Sequence, residues 1–495
     1  MSNLSELLPS GGGQNQVEFV ASGTLPNGKP VILKSNGQVE VVGLGSTPVS
    51  QNIPVGSEVV FNSGTTTEIE VAFDPITAGR FVIVYRNNSA AHSARSIVGI
   101  VSGTSIAFGT EVIYETQGHE GLSIDFDPNT ANKCVVTYKA SGNSSYGTAK
   151  VGTLSGNSIS YGSASVFNSA ATTNVSVKFD PNTANKCVVA YRNGSNGVAR
   201  VGTVSGTSIS FGSANTYRSS ATSTNKISFD ANTANKFLIA YQDYGSAAKV
   251  IIGTISGTSL SFGTAVATSA GDGSNIMAVY SAANKFVVAY SDNDNSNYGT
   301  AVVGTVSGTS ITLGTEYVFN TGASYNLGLA IDSNTSNKFL VCYYDEPNGK
   351  KGNANVGTIS GTSISYGSDI IFNTGDTRLV NVSFDPSNPG KFVIVYKDGG
   401  NSSYGTAILG QMASSISTTN LTATNLIGIA AEAASSGATA KINTWGGINE
   451  AQTSLTIGSD YYAQTNGTIT TASASPAQRI GTAISATTIN MRDLP

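Results

Sequence analysis

A unit of about 50 residues recurs seven times in the middle of this chain, and this repeat constrains the fold more than any other feature. Its best-preserved segment, residues 126–138, reads FDPNTANKCVVTY. Further copies lie at 73–85, 179–191, 229–241, 277–290, 330–343 and 384–396. A second signature, VGTxSGTSI, has its central glycine at Gly103, Gly156, Gly206, Gly257, Gly308 and Gly361. A constant period of this length indicates an array of supersecondary units, because one such unit cannot bury its apolar face alone.

Each repeat carries four apolar runs of strand length, which in the repeat that begins at Val175 are 175–179, 187–192, 198–205 and 208–217. Phe-Asp-Pro-Asn places Asp and Pro at the first two positions of a type I turn. Ser-Gly-Thr-Ser fits a two-residue type II′ hairpin, which makes its flanking strands neighbours in one sheet. Four antiparallel strands repeated seven times predict an all-β fold with a seven-bladed β-propeller at residues 47–420. An open β-solenoid or a string of separate small sheets are the alternatives.

The ends of the array favour closure. The seventh repeat has only a weak fourth strand, whereas residues 57–62, SEVVFN, form an apolar run of fourth-strand character before the first repeat. We expect this run to complete the seventh sheet, which would leave no unpaired edge. The Phe-Asp-Pro turns and the Ser-Gly-Thr-Ser hairpins would then share one edge that is nearly identical in all repeats. The opposite edge varies in length and residue type, as a binding scaffold does.

Residues that recur in every repeat are predicted to be architectural. A tyrosine closes each second strand, at Tyr85, Tyr138, Tyr191, Tyr241, Tyr290, Tyr343 and Tyr396. The aspartate of the first turn, at Asp74, Asp127, Asp180, Asp230 and Asp385, is expected to cap the turn backbone. The three cysteines, Cys134, Cys187 and Cys342, share one strand position, which indicates small buried hydrophobes and synthesis in a reducing compartment.

The two ends of the chain do not follow the repeat. Residues 17–46 and 421–495 contain short alternating strands separated by glycine and Asn-Gly turns. We expect them to form one split β-domain into which the propeller is inserted, since insertion is tolerated where the two ends of a domain lie close together. Residues 1–16 hold Leu4, Leu7 and Leu8 ahead of a run of glycines. This pattern indicates a short apolar arm on a flexible hinge, or a disordered terminus.

These end segments carry a family resemblance. NGKPVILKSNGQVEVV at 27–42 and NLIGIAAEAASSGATAKINTWG at 425–446 resemble the small β-domains of tailed-bacteriophage virion proteins, notably capsid decoration proteins. The segments at 455–471 and 479–491 resemble terminal modules of phage head and tail fibres, and the VGTxSGTSI array is similar to arrays in structural proteins of marine phages. The resemblance implies other virion proteins as partners, a homo-oligomer, expected as a trimer, and a docking role for the 1–16 arm. It supplies no catalytic residue.

Composition excludes several chemistries. The net charge is −4, which disfavours a nucleic-acid partner, and no apolar run is long enough to insert into a membrane. Lys29 is the first basic residue, so the charged start of a signal peptide is missing. With two histidines, a histidine-based triad or metal site is disfavoured. Residues 292–296 alternate oxygen ligands but lack the glycine and the distal glutamate of a calcium loop. No cofactor or metal is predicted.

The variable edge holds the candidate ligand-binding residues. They are Tyr146, Tyr244, Tyr298, Tyr325, Tyr404, Asn143, Asp243, Asp292, Asp345 and His119. Aromatic faces beside amide and carboxylate groups suit sugar stacking and hydroxyl hydrogen bonds. The alternative is that these tyrosines only shield the sheet edges.

The sequence therefore predicts a non-enzymatic structural protein on the surface of a phage virion, assembled in the host cytoplasm. It would act as a capsid decoration or head-fibre protein whose propeller adheres to host surface glycans. A tail fibre or receptor-binding protein is the first alternative. A glycan-cleaving propeller is the second, with Arg192, Arg218, Asp243 and Glu346 as scattered candidates. Because only 11% of the residues are charged, the enzyme alternative is the weaker one.

Overall fold

The computed structural model describes residues 15–49, 51–116, 119–243, 247–268, 272–335, 337–473, 476 and 478–491. These residues form antiparallel strands and turns, with a single 3-10 turn at Asn293–Asn295, so the predicted all-β class is confirmed. No helix in this part of the chain is long and apolar enough to cross a membrane. The chain divides into a terminal domain, Met1–Val49 with Ser415–Pro495, and a repeat domain, Ser50–Ser414. The predicted arm falls on residues 1–16, of which 1–14 lie outside the described residues.

The strands run in chain order as follows. Before the repeats lie β1 (Gln16–Val20), β2 (Pro30–Leu33), β3 (Val39–Val41), β4 (Leu44–Val49) and β5 (Asn52–Asn62). Repeats 1 to 3 contain β6 (Thr66–Phe73), β7 (Arg80–Asn87), β8 (Ser93–Ser102), β9 (Ser105–Phe108), β10 (Val112–Glu115), β11 (His119–Phe126), β12 (Lys133–Ala140), β13 (Tyr146–Ser155), β14 (Ser158–Tyr161), β15 (Ser165–Phe179), β16 (Lys186–Asn193), β17 (Asn196–Ser205), β18 (Ser208–Phe211) and β19 (Asn215–Arg218).

Repeats 4 to 7 contain β20 (Thr222–Phe229), β21 (Lys236–Asp243), β22 (Ala248–Ser256), β23 (Ser259–Phe262), β24 (Val266–Ala267), β25 (Gly273–Ala282), β26 (Lys285–Asp292), β27 (Tyr298–Ser307), β28 (Ser310–Ile331), β29 (Lys338–Asp345), β30 (Lys351–Ser360), β31 (Ser363–Tyr366), β32 (Ile370–Asn373), β33 (Thr377–Phe384), β34 (Lys391–Asp398) and β35 (Tyr404–Gln411). After them follow β36 (Ser414–Thr419), β37 (Leu426–Ala430), β38 (Thr439–Asn443), β39 (Ile448–Asn449), β40 (Asp460–Ala463), β41 (Ile469–Thr470), β42 (Gln478–Ala483) and β43 (Ile489–Asn490).

Every repeat folds as a meander in which the first strand pairs with the second and the second with the third. The hairpin between the third and fourth strands has two central residues, and its glycine has a φ between +58° and +63°. The residue after this glycine is absent from the positive-φ positions, so the predicted type II′ geometry is confirmed. The hairpin also lies beside the first turn of its own repeat. For example, the N–H of Val204 donates to the carbonyl of Asn185 at 2.8 Å.

The fourth strand differs from its prediction. The run 208–217 forms two strands, β18 and β19, which both pair with β17. The break falls at Gly212, where a Cβ atom would lie 2.1 Å from the carbonyl oxygen of Thr258, in the hairpin of the next repeat. Gly109, Gly162 and Gly263 approach the following hairpins in the same way. The strand is therefore interrupted where the backbones of adjacent sheets meet.

The hydrophobic core of the repeat domain lies between consecutive sheets. One cluster, for instance, joins Val189 of repeat 3 to Val135 of repeat 2, and another joins Ile239 of repeat 4 to Val188 of repeat 3. The series returns to its start, because a further cluster joins Val393 and Val395 of repeat 7 to Ile83 of repeat 1. The first strands contact one another in the same order, and β33 contacts β6.

The seventh sheet contains the strand predicted to complete it. Strand β5 pairs antiparallel with β35, with Val59 opposite Ala407 and Asn52 opposite Gln411. Gly56 of β5 also lies against the hairpin of repeat 1, where a Cβ atom would come 2.3 Å from the carbonyl oxygen of Thr104. The chain thus enters and leaves the repeat domain on paired strands.

Three of the five recurring aspartates, Asp127, Asp230 and Asp385, connect neighbouring repeats as well as capping their own turns. Asp127 accepts the N–H of Asn129 through Oδ1 at 2.9 Å, as predicted, and the N–H of Asn185 in the next repeat through Oδ2 at 2.7 Å. Asp385 of repeat 7 accepts the N–H of Gly79 in repeat 1 at 2.9 Å. These side chains are buried, so each hydrogen bond forms out of contact with water.

The terminal domain contains two five-stranded sheets, with the orders β1-β38-β37-β2-β3 and β39-β43-β42-β40-β41. The first sheet combines both ends of the chain, and Val31 lies opposite Gly428 in it. Strands β4 and β36 pair separately. Three strands of the domain, β2, β38 and β40, follow one pattern, in which two glycines of positive φ flank the strand at the same spacing. These glycines are Gly28 and Gly37, Gly437 and Gly446, and Gly458 and Gly467, with φ between +77° and +86°.

Candidate functional site

The sheets of the repeat domain have two unlike edges. The uniform edge carries the first turns, with their aspartates, and the type II′ hairpins. The variable edge carries the connections between the second and third strands, which differ from repeat to repeat: Asn193 to Asn196 is a tight turn, whereas Asp345 and Lys351 are joined through a longer turn. A ligand site that differs between repeats is therefore expected at the variable edge.

The structure spreads the predicted ligand-binding residues over several sheets. Tyr146, Tyr298 and Tyr404 open the third strands of repeats 2, 5 and 7, and all three are half-buried. Asn143 is exposed in the turn before Tyr146, whose N–H donates to its carbonyl at 2.9 Å. Tyr244 lies outside the described residues, and His119 is described only as the first residue of β11. The three sheets of the half-buried tyrosines are not consecutive.

Two of the predicted carboxylates are engaged within the protein. Asp243 is buried and accepts hydrogen bonds from Arg218 at 3.0 Å and Lys249 at 2.9 Å. Desolvation alone would raise the pKa of Asp243, but the hydrogen bonds from Lys249 and Arg218 bring it below its ordinary value. Asp292 is also buried, and this desolvation raises its pKa although the backbone N–H groups of Asp294 and Asn295 donate to it. Asp243 therefore links its turn to β19 of repeat 3, whereas Asp292 supports its own turn.

Two pairs of predicted residues share a sheet edge. Asp292 and Tyr298 are directly opposite each other in repeat 5. Tyr325 and Asp345 lie at adjacent positions in repeat 6, where Tyr325 is opposite Tyr344 and Asp345 is opposite Ser324, so their side chains point to opposite faces of the sheet. The rings of Tyr325 and Tyr344 are 5.5 Å apart and inclined by 39°. The guanidinium carbon of Arg378, from repeat 7, lies 4.6 Å from the centroid of the Tyr344 ring. Tyr344 and Arg378 were not among the residues predicted from the sequence.

Tyr325 and Tyr344 belong to a pair of positions whose residues vary between repeats. In each sheet, one residue of the first strand lies directly opposite one of the second, next to the variable edge; we term these the edge pairs. They are Thr67 and Arg86, Glu120 and Lys139, Thr173 and Arg192, Ser223 and Gln242, Ser274 and Ser291, Tyr325 and Tyr344, and Arg378 and Lys397. The flanking bulge is nevertheless constant, because the first strand has a residue with φ between +49° and +64° in all seven repeats.

A cavity of about 200 Å³ lies among the first strands, with lining residues from six repeats. Glu70 of repeat 1 forms an ion pair with Lys226 of repeat 4 at 2.5 Å and accepts a hydrogen bond from Asn381 of repeat 7 at 2.8 Å. Glu68 accepts the N–H of Gly121 at 3.1 Å, and burial raises the pKa of its carboxyl. The polar groups of this cavity thus connect repeats that are distant in sequence.

The residues considered for catalysis do not converge on one site. Arg218 is paired with Asp243, the Nε of Arg192 donates to the carbonyl of Gly194, and Glu346 lies 3.6 Å from Lys350. Among the residues that the structure describes, no group of three or more His, Cys, Asp or Glu side chains is placed to hold a metal ion. The predicted architectural residues are in the core: all seven second-strand tyrosines and the three cysteines are buried, and burial raises the pKa of Cys134 to about 12.

No protein-family model and no curated protein matches the sequence. Solved structures with a similar course of the chain include Sqt1 from Chaetomium thermophilum, at 8% identity and a TM-score of 0.45, covering 73% of this chain and 100% of that one. Sqt1 from Saccharomyces cerevisiae matches at 8% identity and a TM-score of 0.43, covering 74% and 100%. A functionally unknown protein from Desulfotomaculum acetoxidans matches at 12% identity and a TM-score of 0.42, covering 62% and 89%. At these scores and identities the likenesses assign no function.

Proposed function

We propose that the seven sheets are the blades of a closed seven-bladed β-propeller, inserted into a split β-domain formed by the two ends of the chain. Three observations support closure. The core cluster of repeats 7 and 1 resembles those between the other repeats, β5 completes the seventh sheet, and the Asp385–Gly79 hydrogen bond repeats the Asp127–Asn185 bond. The pairing of β2 with β37 supports the split domain.

On this scaffold we assign the chain a non-enzymatic role on the surface of a tailed-phage particle, as a capsid decoration or head-fibre protein. The observation that carries the display role is the contrast between the two edges. The uniform edge is held by buried aspartates, whereas the edge pairs of the variable edge differ in all but one comparison. Such an arrangement keeps the scaffold fixed while its binding residues change.

The virion assignment itself rests on the resemblance of residues 27–42 and 425–446 to phage decoration domains. In this proposal the terminal domain attaches the protein to other virion proteins as a homo-oligomer, expected as a trimer, and the repeat domain adheres to host surface glycans. The neutralisation of Asp243 by Arg218 and Lys249 favours adhesion over glycan cleavage, because a paired and buried carboxylate is a poor general acid or base.

Immunogold electron microscopy of purified particles tests the proposal. Antibody would be raised against the purified full-length protein, and antibody absorbed with the same protein would be the control. Label over the head is the expected result. Label confined to the tail would replace the decoration role by that of a receptor-binding fibre, and particles without label would exclude the virion role. Sedimentation of the purified protein would test the expected trimer separately.

A further inference from the structure

The edge pair of repeat 7 differs chemically from those of the other repeats. Opposite residues in a sheet interact directly, and like charges in these positions destabilise it. Other edge pairs are complementary: Lys139 lies 2.6 Å from Glu120, and Ser223 donates to Gln242 at 2.8 Å. Repeat 7 instead places two cations, Arg378 and Lys397, opposite each other. An arrangement that costs stability in the free protein is explained if a bound anion lies between the two charges.

A cavity lies at this edge pair. It has a volume of about 470 Å³, and Arg378 and Lys397 line it together with Asp376, Ser403 and, from repeat 6, Asn326. Arg378 donates through Nε to Asp376 at 2.8 Å, which balances one of the two charges. Lys397 is half-buried, and its side chain has neither an ion pair nor a hydrogen bond with another described residue. One uncompensated positive charge therefore faces the cavity.

The cations lie beside an aromatic surface. Arg378 packs on Tyr344, and Tyr344 on the half-buried Tyr325. A guanidinium held by a ring and by Asp376 is fixed in orientation, so its remaining donors can address a planar anion in a defined direction. The half-buried Tyr325, supported by the buried Tyr344, provides an apolar face of the kind on which sugar rings pack. The side chains of Ser403 and Asn326 can hydrogen-bond hydroxyl groups.

We propose that the cavity between repeats 6 and 7 binds a saccharide that carries a carboxylate, a hexuronic acid. The carboxylate would lie between Arg378 and Lys397, and the sugar ring would lie toward Tyr325. This inference rests on the proposed adhesion to glycans and names the class of glycan. It assigns the binding to one edge pair, whereas the equivalent pairs of repeats 2 and 4 are already satisfied within the protein.

The test is a titration of the full-length protein with oligogalacturonate, in which isothermal titration calorimetry measures the affinity at low ionic strength. The fully methyl-esterified oligomer is the matched ligand control, because it keeps the sugar and removes the charge. We expect the acid form to bind and the ester to bind at least about tenfold more weakly. Added salt should weaken the binding of the acid form. Lys397→Met should also weaken binding about tenfold.

Lys139→Met is the matched protein control, since Lys139 occupies the same position in repeat 2 but is paired with Glu120. It should bind oligogalacturonate as the unmodified protein does. Equal weakening in the two variants, equal binding of acid and ester, or no binding of the acid would each overturn the inference. Complete displacement of the sugar by equimolar inorganic phosphate would reduce the site to a general anion site and overturn the saccharide assignment. Virion label without sugar binding would refute this inference alone.

Discussion

At the scale of single residues, one role of the aspartate in the first turn was predictable from the sequence and the other was not. Its turn-capping role was predictable because Asp before Pro is typical of a type I turn. Its second oxygen reaches the next repeat, as the 2.7 Å hydrogen bond from Asn185 to Asp127 shows. The sequence gives no signal for this contact, since every repeat carries the same residues and their spacing does not tell which copies touch.

The two oxygens lead to a prediction from a matched pair of residues. Asp127→Asn replaces one acceptor by an amide that faces the N–H of either Asn129 or Asn185, so it should lower the free energy of unfolding by about 1–3 kcal/mol. In Asp180 the Oδ2 oxygen is buried without a hydrogen-bond partner in the described part of the chain. Asp180→Asn should therefore cost less. Urea unfolding of both variants measures the difference, and an equal cost would show that the bond between repeats contributes little.

The second-strand tyrosines give a larger effect at the same scale. Tyr191 is fully buried, and its ring packs on Phe167 with the centroids 5.0 Å apart. Tyr191→Ala should lower the free energy of unfolding by about 3–5 kcal/mol, because it removes a large core side chain and leaves a cavity. The half-buried Tyr404 is the control, and its replacement by alanine should cost about 1 kcal/mol. Similar losses in the two variants would contradict the core assignment of Tyr191.

Glu68 makes stability depend on pH. Its folded pKa is raised above the ordinary value of 4.5, mainly by desolvation, so the folded state binds a proton more tightly than the unfolded state. The stability that this provides is fully present below pH 4.5 and is lost as the pH rises through the folded pKa. Glu68→Gln, which can still accept the N–H of Gly121, should be more stable than the unmodified protein at pH 7 but not at pH 4. Thermal unfolding of both proteins at pH 4 and pH 7 checks this. A stability difference between them that is the same at both pH values would contradict the prediction.

At the scale of elements, the break in the fourth strand and the repeated glycine pattern of the terminal domain were not predicted from the sequence. The run 208–217 was predicted as one strand, because Tyr217 follows Ile209 and Phe211 in the same phase and nothing local shows that a neighbouring hairpin occupies the space of a side chain at Gly212. The three glycine-flanked strands of the terminal domain could have been detected from the sequence. Gly28 and Gly37 have the same spacing as Gly437 and Gly446, but the few shared residues hide the copies.

The contact at Gly212 can be tested against an equivalent glycine that lacks it. A Cβ atom on Gly212 would lie 2.1 Å from a backbone oxygen that cannot rotate away, so Gly212→Ala should cost at least about 1–3 kcal/mol. Gly367 occupies the same place in repeat 6, and the nearest atom to its Cβ would be 3.9 Å away. Gly367→Ala should be neutral within about 0.5 kcal/mol. Comparable losses in urea unfolding would show that the glycine serves its own strand and not the adjacent sheet.

At the scale of the whole molecule, the pairing that completes the seventh sheet was predictable from the sequence because it depends on a missing element. Repeat 7 lacks a strong fourth strand, residues 57–62 supply one, and the structure pairs β5 with β35. The residues of the proposed binding site were harder to predict. Tyr325 was found by its type, whereas Arg378 and Lys397 emerge only when the register of each sheet is known and opposite residues can be compared.

A closed array makes the contact between repeats 7 and 1 equivalent to every other contact between repeats. Ser383 accepts the N–H of Phe73 at 3.2 Å and Asp385 accepts that of Gly79 at 2.9 Å. The double variant Ser383→Ala with Asp385→Asn should therefore lower the free energy of unfolding by about 2–4 kcal/mol. It should also increase amide hydrogen exchange in all seven sheets, because opening one contact releases the whole ring.

The matched variant is Ser123→Ala with Asp127→Asn, which removes the two equivalent hydrogen bonds between repeats 2 and 3. In these, Ser123 accepts the N–H of Val177 at 3.2 Å and Asp127 accepts that of Asn185 at 2.7 Å. In a closed ring the two double variants should unfold at similar urea concentrations and exchange with similar patterns. In an open array the first variant would alter only terminal repeats and would leave the midpoint of unfolding nearly unchanged. A large difference between the variants would therefore reject closure, independently of where the protein is attached or what it binds.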